Sequence, residues 1–532
     1  MKNKKTFACL LCVVMLASIV IAGCAKSGDQ DVKGTTDSNF NETGLPVVKE
    51  KVTLKIAGPK DPTMDDFNEM EMIQKLEEMT NVHVEWTLSP NTGWQEKKNL
   101  LFASGDLPDA VTVLTDDDIV RYGSQGLIVP VESLIDRYMP NLKRILDEKP
   151  EFRKMMTSSD GHIYGFPRIL EEEHAALGDT LWINSKWLEA LNLQMPTTTE
   201  EFREVLRAFR DQDPNGNNKK DEIPFSFVYG GGNTSLYSLF GLFGRPDYPD
   251  HIDIENGKII YTAIQPEYKE AVNYFHSLYA EGLIDVESFT QKVPDLNAKA
   301  SGPEDVVGAF VNYNNHGIVG AAKMDYYKYI FPALKGPNGD QKWGSRFPAS
   351  FTKGGLAITK ANKYPEITAR WLDQVYDPDT SIQFAFGPFG VTQDLHEDGK
   401  FERKPIPEGM TFAEFRGKEA PHNFFVYVML NAERERMILD ETEQRRQQLY
   451  EDAKSYLDPE IFPPILFAEQ DAARLAALKT DINGFVDKKT AEWIINGNIE
   501  AEWDAYISQL KSMGLDELIQ LYESNFERYQ SN

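Results

Sequence analysis

The chain has 532 residues, 41% of them hydrophobic and 26% charged, with a formal net charge of −27 at pH 7. That length exceeds what one hydrophobic core organises and requires two large lobes or several domains. The acidity excludes nucleic acid as a partner and favours solubility without dictating a fold.

Lys2, Lys4 and Lys5 precede an uncharged apolar run at residues 7–21 that is shorter than the roughly 18 to 20 residues needed to span a bilayer. This predicts an export signal over residues 1–23. The run ends in Ile21-Ala22-Gly23-Cys24, which resembles the bacterial lipobox. The resemblance implies cleavage before Cys24, lipidation of its sulfur, and a chain held on the extracytoplasmic face of the cell membrane by its lipid. Cys9 and Cys12 would leave with the signal, so the mature chain has neither a disulfide framework nor a cysteine metal site. Residues 24–50, rich in Ser, Gly, Thr, Asp and Asn, read as a flexible tether.

From residue 52 the pattern alternates: a strand at 52–56, a helix around 67–79, a strand at 82–86, a helix at 94–103 and an apolar strand at 110–114. These are the crossovers that build a parallel sheet. Gly105 suits a helix C-cap and Pro108 stops the helix. Residues 161–167 read as a turn and strand, and further strands are expected at 181–184 and 224–228. Pro196 and Thr197 to Thr199 announce a helix running to Phe209, and residues 430–529 read as mostly helical.

Between that helix and the next strand lies Asp213-Pro214-Asn215-Gly216-Asn217-Asn218-Lys219-Lys220-Asp221-Glu222. Oxygen side chains at positions 1, 3 and 5 and carboxylates at 9 and 10 match a loop that wraps a hard cation such as Ca²⁺. Pro224 stands where an EF-hand has its closing glutamate. The competing reading is a solvated Asn/Gly turn. No zincin helix, phosphate loop or nucleophile elbow is present, and the eight histidines are scattered.

The phrases Ser104-Gly105-Asp106-Leu107-Pro108-Asp109, Tyr122-Gly123-Ser124-Gln125-Gly126-Leu127, Asp160-Gly161-His162-Ile163-Tyr164-Gly165 and Tyr279-Ala280-Glu281-Gly282-Leu283-Ile284-Asp285, in this order, resemble the extracellular solute-binding protein family 1. Within it the chain is similar to the alginate-binding and, more distantly, the maltose-binding proteins. The resemblance implies a two-lobed α/β periplasmic-binding-protein-like fold with discontinuous lobes, hinge segments and a helical C-terminus. Residues 51–170 and 355–420 would form the N-terminal lobe, and residues 171–354 and 421–532 the C-terminal lobe. Crossings would fall at 171–180, 344–354 and within 390–430.

The implied function is that of a carbohydrate-binding subunit of an ABC importer, a monomer that closes on an oligosaccharide and docks on membrane permeases, with no catalysis of its own. A surface-anchored glycoside hydrolase or lyase and a sugar-sensing lipoprotein remain alternatives, since fold alone does not settle function. By the same resemblance Thr115, Asp116, Asp117, Glu171, Tyr229 and Tyr313 face the cleft, with Trp182 and Trp343 as further stacking platforms. The calcium loop of the alginate-binding relatives carries over to Asp213, Asn215, Asn217, the Lys219 carbonyl, Asp221 and Glu222, as a structural ion.

Overall fold

A computed structural model describes residues 38–320 and 322–531. The expected signal segment and Cys24 lie outside these residues. Residues 38–40 form a turn, and residues 41–532 are a separate unit. The tether ends earlier than expected. Val47 and Val48 are fully buried, and their amides donate to the Thr80 carbonyl at 2.9 and 3.3 Å. Two adjacent valines give residues 41–50 enough apolar surface to dock.

The strands in chain order are β1 (Val52–Lys60), β2 (Val82–Pro90), β3 (Ala110–Leu114), β4 (Phe166–Glu171), β5 (Thr180–Asn184), β6 (Ile223–Ser226), β7 (Ile252–Glu255), β8 (Lys258–Tyr261), β9 (Val307–Asn312), β10 (Tyr327–Tyr329), β11 (Ala349–Ile358), β12 (Gln393–Leu395), β13 (Phe401–Arg403) and β14 (Tyr427–Met429). Six of them make one sheet in the order β14-β4-β11-β3-β1-β2, and four make a second in the order β10-β5-β9-β6. β1 pairs with β2 in parallel over its whole length, from Val52↔Val82 to Lys60↔Pro90. Gly58 is required in β1 because a Cβ there would stand 2.2 Å from the Thr112 hydroxyl of neighbouring β3.

The first sheet is mixed, not purely parallel, because β11 returns antiparallel between β3 and β4. β14 pairs with β4, so the chain stays in this sheet to Met429 and leaves it after the expected boundary at 421. β11 likewise enters the sheet at Ala349, ahead of the expected 355. Helices cover both sheets and bury the apolar faces of their strands, which is where each core sits.

The registers determine which strand ends face each other. β3 ends at Leu114, β4 ends at Glu171 and β11 begins at Ala349, all at one end of the first sheet. β5 begins at Thr180, β9 ends at Asn312 and β6 ends at Ser226, all at one end of the second. Residues 172–179 join β4 to β5 and therefore bring these two ends together. Among the described residues no helix is long and apolar enough to cross a membrane.

Candidate functional site

Between the sheets, residues 172–177 and 345–348 run as a two-stranded ribbon. Glu172 N–H donates to Pro348 C=O at 2.9 Å, Arg346 N–H donates to Ala176 C=O at 2.9 Å, and Leu177 bridges Ser345. On one side lie residues 431–434, where Asn431 N–H donates to Glu171 Oε2 at 2.9 Å and Arg434 pairs with Glu172 at 2.7 Å. On the other side runs a segment that sequence reading had taken as helical. Asp458 N–H donates to Trp343 C=O at 3.1 Å, Ser345 Oγ donates to Asp458 C=O at 2.6 Å, and Leu466 is buried in the core of the first lobe. Pro459, Pro463 and Pro464 are the signal that could have found this crossing, since proline breaks a helix.

Arg346 is the cation at the middle of this ribbon. Its Nη2 donates to Asp179 Oδ1 at 2.7 Å and to the Gly232 carbonyl at 3.4 Å, while its side chain stays 41% exposed. Asp179 is 2% exposed, and burial pushes its carboxyl up to about 7 against the pull of Arg346. Sequence reading missed both residues, which stand 167 positions apart. Arg346 lines one cavity of about 400 Å³ with Tyr248, Phe347 and Phe462, and another of about 200 Å³ with His174, Tyr313 and Arg446.

Tyr313, directly after β9, is 39% exposed, and the Arg446 guanidinium lies 5.7 Å from its ring centre. An exposed phenol face beside an arginine suits the C–H surface and hydroxyls of a sugar. Tyr229, three residues beyond β6, is half-buried against Phe289 at 5.5 Å. Thr115, Asp116 and Asp117 follow β3 at the opposing end.

The hydroxyl of Thr115 caps helix Asp116–Ser124, accepting the Asp118 N–H at 3.2 Å and donating to Asp118 Oδ2 at 2.9 Å. Asp116 pairs with the buried Lys353 at 2.6 Å, and Asp117 is exposed. Just before them Val113 has φ 57°, a costly conformation for a β-branched residue. Its carbonyl is held by Trp94 Nε1 at 3.0 Å and Lys98 Nζ at 3.2 Å, and Lys98 also pairs with the buried Asp118.

Other nominated residues do structural work. Both oxygens of Glu171 are engaged, one by Lys149 at 2.8 Å and one by Asn431 N–H, so it braces the crossing. Trp182 is 7% exposed and donates from Nε1 to Asn312 C=O at 2.9 Å. One edge of it reaches a cavity of about 260 Å³ that Tyr313 also lines. Trp343 is 2% exposed, so it packs in the core with no free face, contrary to the stacking role expected of it. Periodicity cannot separate the two roles, because an indole that stacks on sugar and one that fills a core have the same hydropathy.

Loop 213–222 connects helix Thr199–Asp211 to β6 and turns through left-handed Asp213, Gly216 and Asn218. Asp213 Oδ1 and Oδ2 accept the amides of Asn217 and Asn218 at 3.2 and 3.0 Å. The Asn215 and Asn217 side-chain amides converge on Asp221 at 3.1 to 3.2 Å, while their Oδ1 atoms accept the Asn217 and Lys219 amides at 3.0 and 2.7 Å. Glu222 Oε1 is buried without a partner. Burial, followed by the charges of Asp221 and Asp213, raises the Glu222 carboxyl above its ordinary value. The Lys219 ammonium turns away to Glu304 at 2.9 Å, leaving its carbonyl to the loop. Crowded carboxylates with an orphaned buried oxygen are what a hard cation relieves, so the donor set fits Ca²⁺. Among the described residues no group of three or more His, Cys, Asp or Glu is already gathered as a metal site.

Two buried imidazoles, His174 in the ribbon and His422 within the first lobe, make the protein acid-sensitive. Burial, with Arg446 and Arg434 nearby, pushes His174 down to about 3. Burial and Arg416 do the same to His422. Their folded values lie below the unfolded value of about 6.5. Their contribution is therefore full above that pH and is lost as pH falls towards 3, at about 1.4 kcal/mol per unit for each histidine. Melting curves at pH 7.5 and 5 are expected to show a smaller acid loss in a His174→Gln/His422→Gln double variant than in the parent. An equal loss would count against this assignment. The difference isolates the imidazoles from Asp179, whose raised value acts in the opposite sense.

The comparisons with known proteins agree with this architecture. The family model for the bacterial extracellular solute-binding proteins matches residues 65–381. The chain is 35% identical, over 99% of both sequences, to the fructooligosaccharide ABC transporter substrate-binding protein FusA of Streptococcus pneumoniae. It superposes on the structure of FusA in complex with kestose with a TM-score of 0.76, covering 90% of this chain and 100% of that one. An EF-hand mutant of FusA in complex with fructo-nystose superposes equally, at 35% identity, a TM-score of 0.76 and the same coverage. Alginate-binding protein AlgQ2 without calcium ion is 25% identical with a TM-score of 0.67, covering 91% of this chain and all of that one. With two facing α/β lobes, a ribbon hinge and a match across its length, the chain belongs to the bacterial extracellular solute-binding proteins.

Proposed function

We propose that this protein captures a short oligosaccharide, of the fructooligosaccharide class, between its two lobes outside the cytoplasm and hands it unaltered to the permeases of an ABC importer. The observation that carries this reading is Arg346, half-exposed in the ribbon between facing sheet ends and braced by buried Asp179. The 35% identity to FusA over 99% of the chain supports the sugar class. Hydroxyls of a neutral sugar would be met by Arg346, stacking by Tyr313, and the N-terminal wall by Thr115 to Asp117. Closure would be a hinge motion of the ribbon. We assign residues 51–171 and 349–429 to one lobe and 180–345 to the other, following sheet membership, with residues 469–531 joining the second because their buried side chains share its core. Cys24 would carry the lipid that keeps the protein at the membrane, and loop 213–222 would hold a structural Ca²⁺.

Thermal unfolding against kestose, nystose, maltotriose and galacturonate oligomers tests this reading. The fructans are expected to raise the melting temperature, since a ligand at about 100 times its dissociation constant adds about 2.7 kcal/mol. A chain that melts alike with every sugar would refute it. Tyr313→Ala is expected to weaken kestose binding about tenfold by removing a stacking face worth about 1 kcal/mol. Unchanged affinity in that variant would remove Tyr313 from the site.

A further inference from the structure

Helix Glu469–Asn496 touches helix Asp116–Ser124 of the first lobe while packing on helix Pro266–Ala280 of the second, so it lies at the junction. Asp487 on this helix is 37% exposed. Its Oδ1 lies 3.5 Å from the Tyr237 hydroxyl and 3.9 Å from His251 Nε2. Burial, and then the Asp487 charge, holds the Tyr229 phenol well above its ordinary value.

The imidazole behind it is wholly enclosed. His251 is 0% exposed, and its Nδ1 lies 3.0 Å from both oxygens of Asp247, a carboxylate that also accepts the Thr262 hydroxyl. The rings of Tyr237, Tyr261 and Tyr268 pack edge-on around it. Its Nε2 is buried with no hydrogen-bond partner and faces Asp487. A fully buried Asp–His pair whose Nε2 lies 3.9 Å from a half-exposed carboxylate can hold that carboxylate in place through charge.

We infer that Asp487 is a sugar-contacting carboxylate and that the Asp247–His251 pair is the buried brace that positions it, as a deepening of the function proposed above. A carboxylate held from behind presents acceptors to two neighbouring sugar hydroxyls, while Arg346 supplies donors from the ribbon. The brace acts through the imidazolium. Burial works to lower its pKa, but the Asp247 charge and hydrogen bond, with smaller help from Asp487 and Asp250, outweigh that and raise it above the ordinary histidine value. The grip is thus complete below about pH 6.5 and is lost as pH rises through the elevated value. Once the proton leaves, the Nε2 lone pair faces the Asp487 carboxylate and repels it.

Calorimetric titration of the protein with kestose across pH 6 to 9 tests this. Asp487→Asn is expected to bind about 10- to 100-fold more weakly, the loss of hydrogen bonds to a charged group. The parent is expected to weaken as pH rises, and His251→Gln to lose that slope; a merely structural histidine would lower the melting temperature and leave the slope in place. Kestose binding by Asp487→Asn at parental affinity would overturn the inference while leaving the proposed function standing. A parent that binds no kestose would overturn both.

Discussion

Arg346→Ala is expected to abolish sugar binding and to lower stability together. Two or more hydrogen bonds from a guanidinium to sugar hydroxyls are worth about 1.5 to 3 kcal/mol each, so affinity should fall at least about 100-fold. The stability loss follows from Asp179, which keeps its burial but loses the cation that opposes it. Removing one partner of a buried pair costs about 3 to 5 kcal/mol. Arg346 is 41% exposed, so solvent screening reduces this to about 2 kcal/mol. Asp179 would then remain protonated to higher pH. Arg346→Lys is expected to recover much of the stability and little of the affinity, because an ammonium keeps the charge but not the planar fork. Melting curves and kestose titrations of both variants check this; full sugar binding by Arg346→Ala would remove the residue from the site.

Calcium removal is expected to lower the melting temperature by about 5 °C, the effect of losing about 2 to 3 kcal/mol of linked binding from a lobe-sized unit. Glu222→Gln separates an ion site from a solvated turn. Its buried, unpartnered oxygen is raised by burial and by Asp221 and Asp213. Neutralising it should therefore stabilise the chelated protein and weaken its response to added Ca²⁺. An ordinary turn would leave both proteins indifferent to added Ca²⁺, and a chelator would leave the parent's melting curve where it was.

The parts of the fold that could be read in advance are those whose determinants are local. β1, β2 and β3 alternate with amphipathic helices, and loop 213–222 keeps its oxygens within ten residues, so both appear in the spacing alone. The parts that could not be read depend on distant partners. β11 reads as a Gly-containing connection, and only β3 and β4 on either side make it a strand. Asp179 has no special neighbours in the chain, and its chemistry comes from Arg346 across the ribbon. His251 is one of eight scattered histidines until the fold sets it between Asp247 and Asp487. The segment from residue 457 to 467 reads as helical because helical periodicity flanks it on both sides, and only its three prolines mark the break.

Equilibrium titration of the purified protein with kestose, followed by recovery and chromatography of the sugar, tests the central claim most directly. One mole of kestose bound per mole of protein, recovered intact, is the result this account predicts. Sugar recovered cleaved would mean a hydrolase built on a binding-protein fold, and absence of binding would contradict the capture of fructooligosaccharides itself.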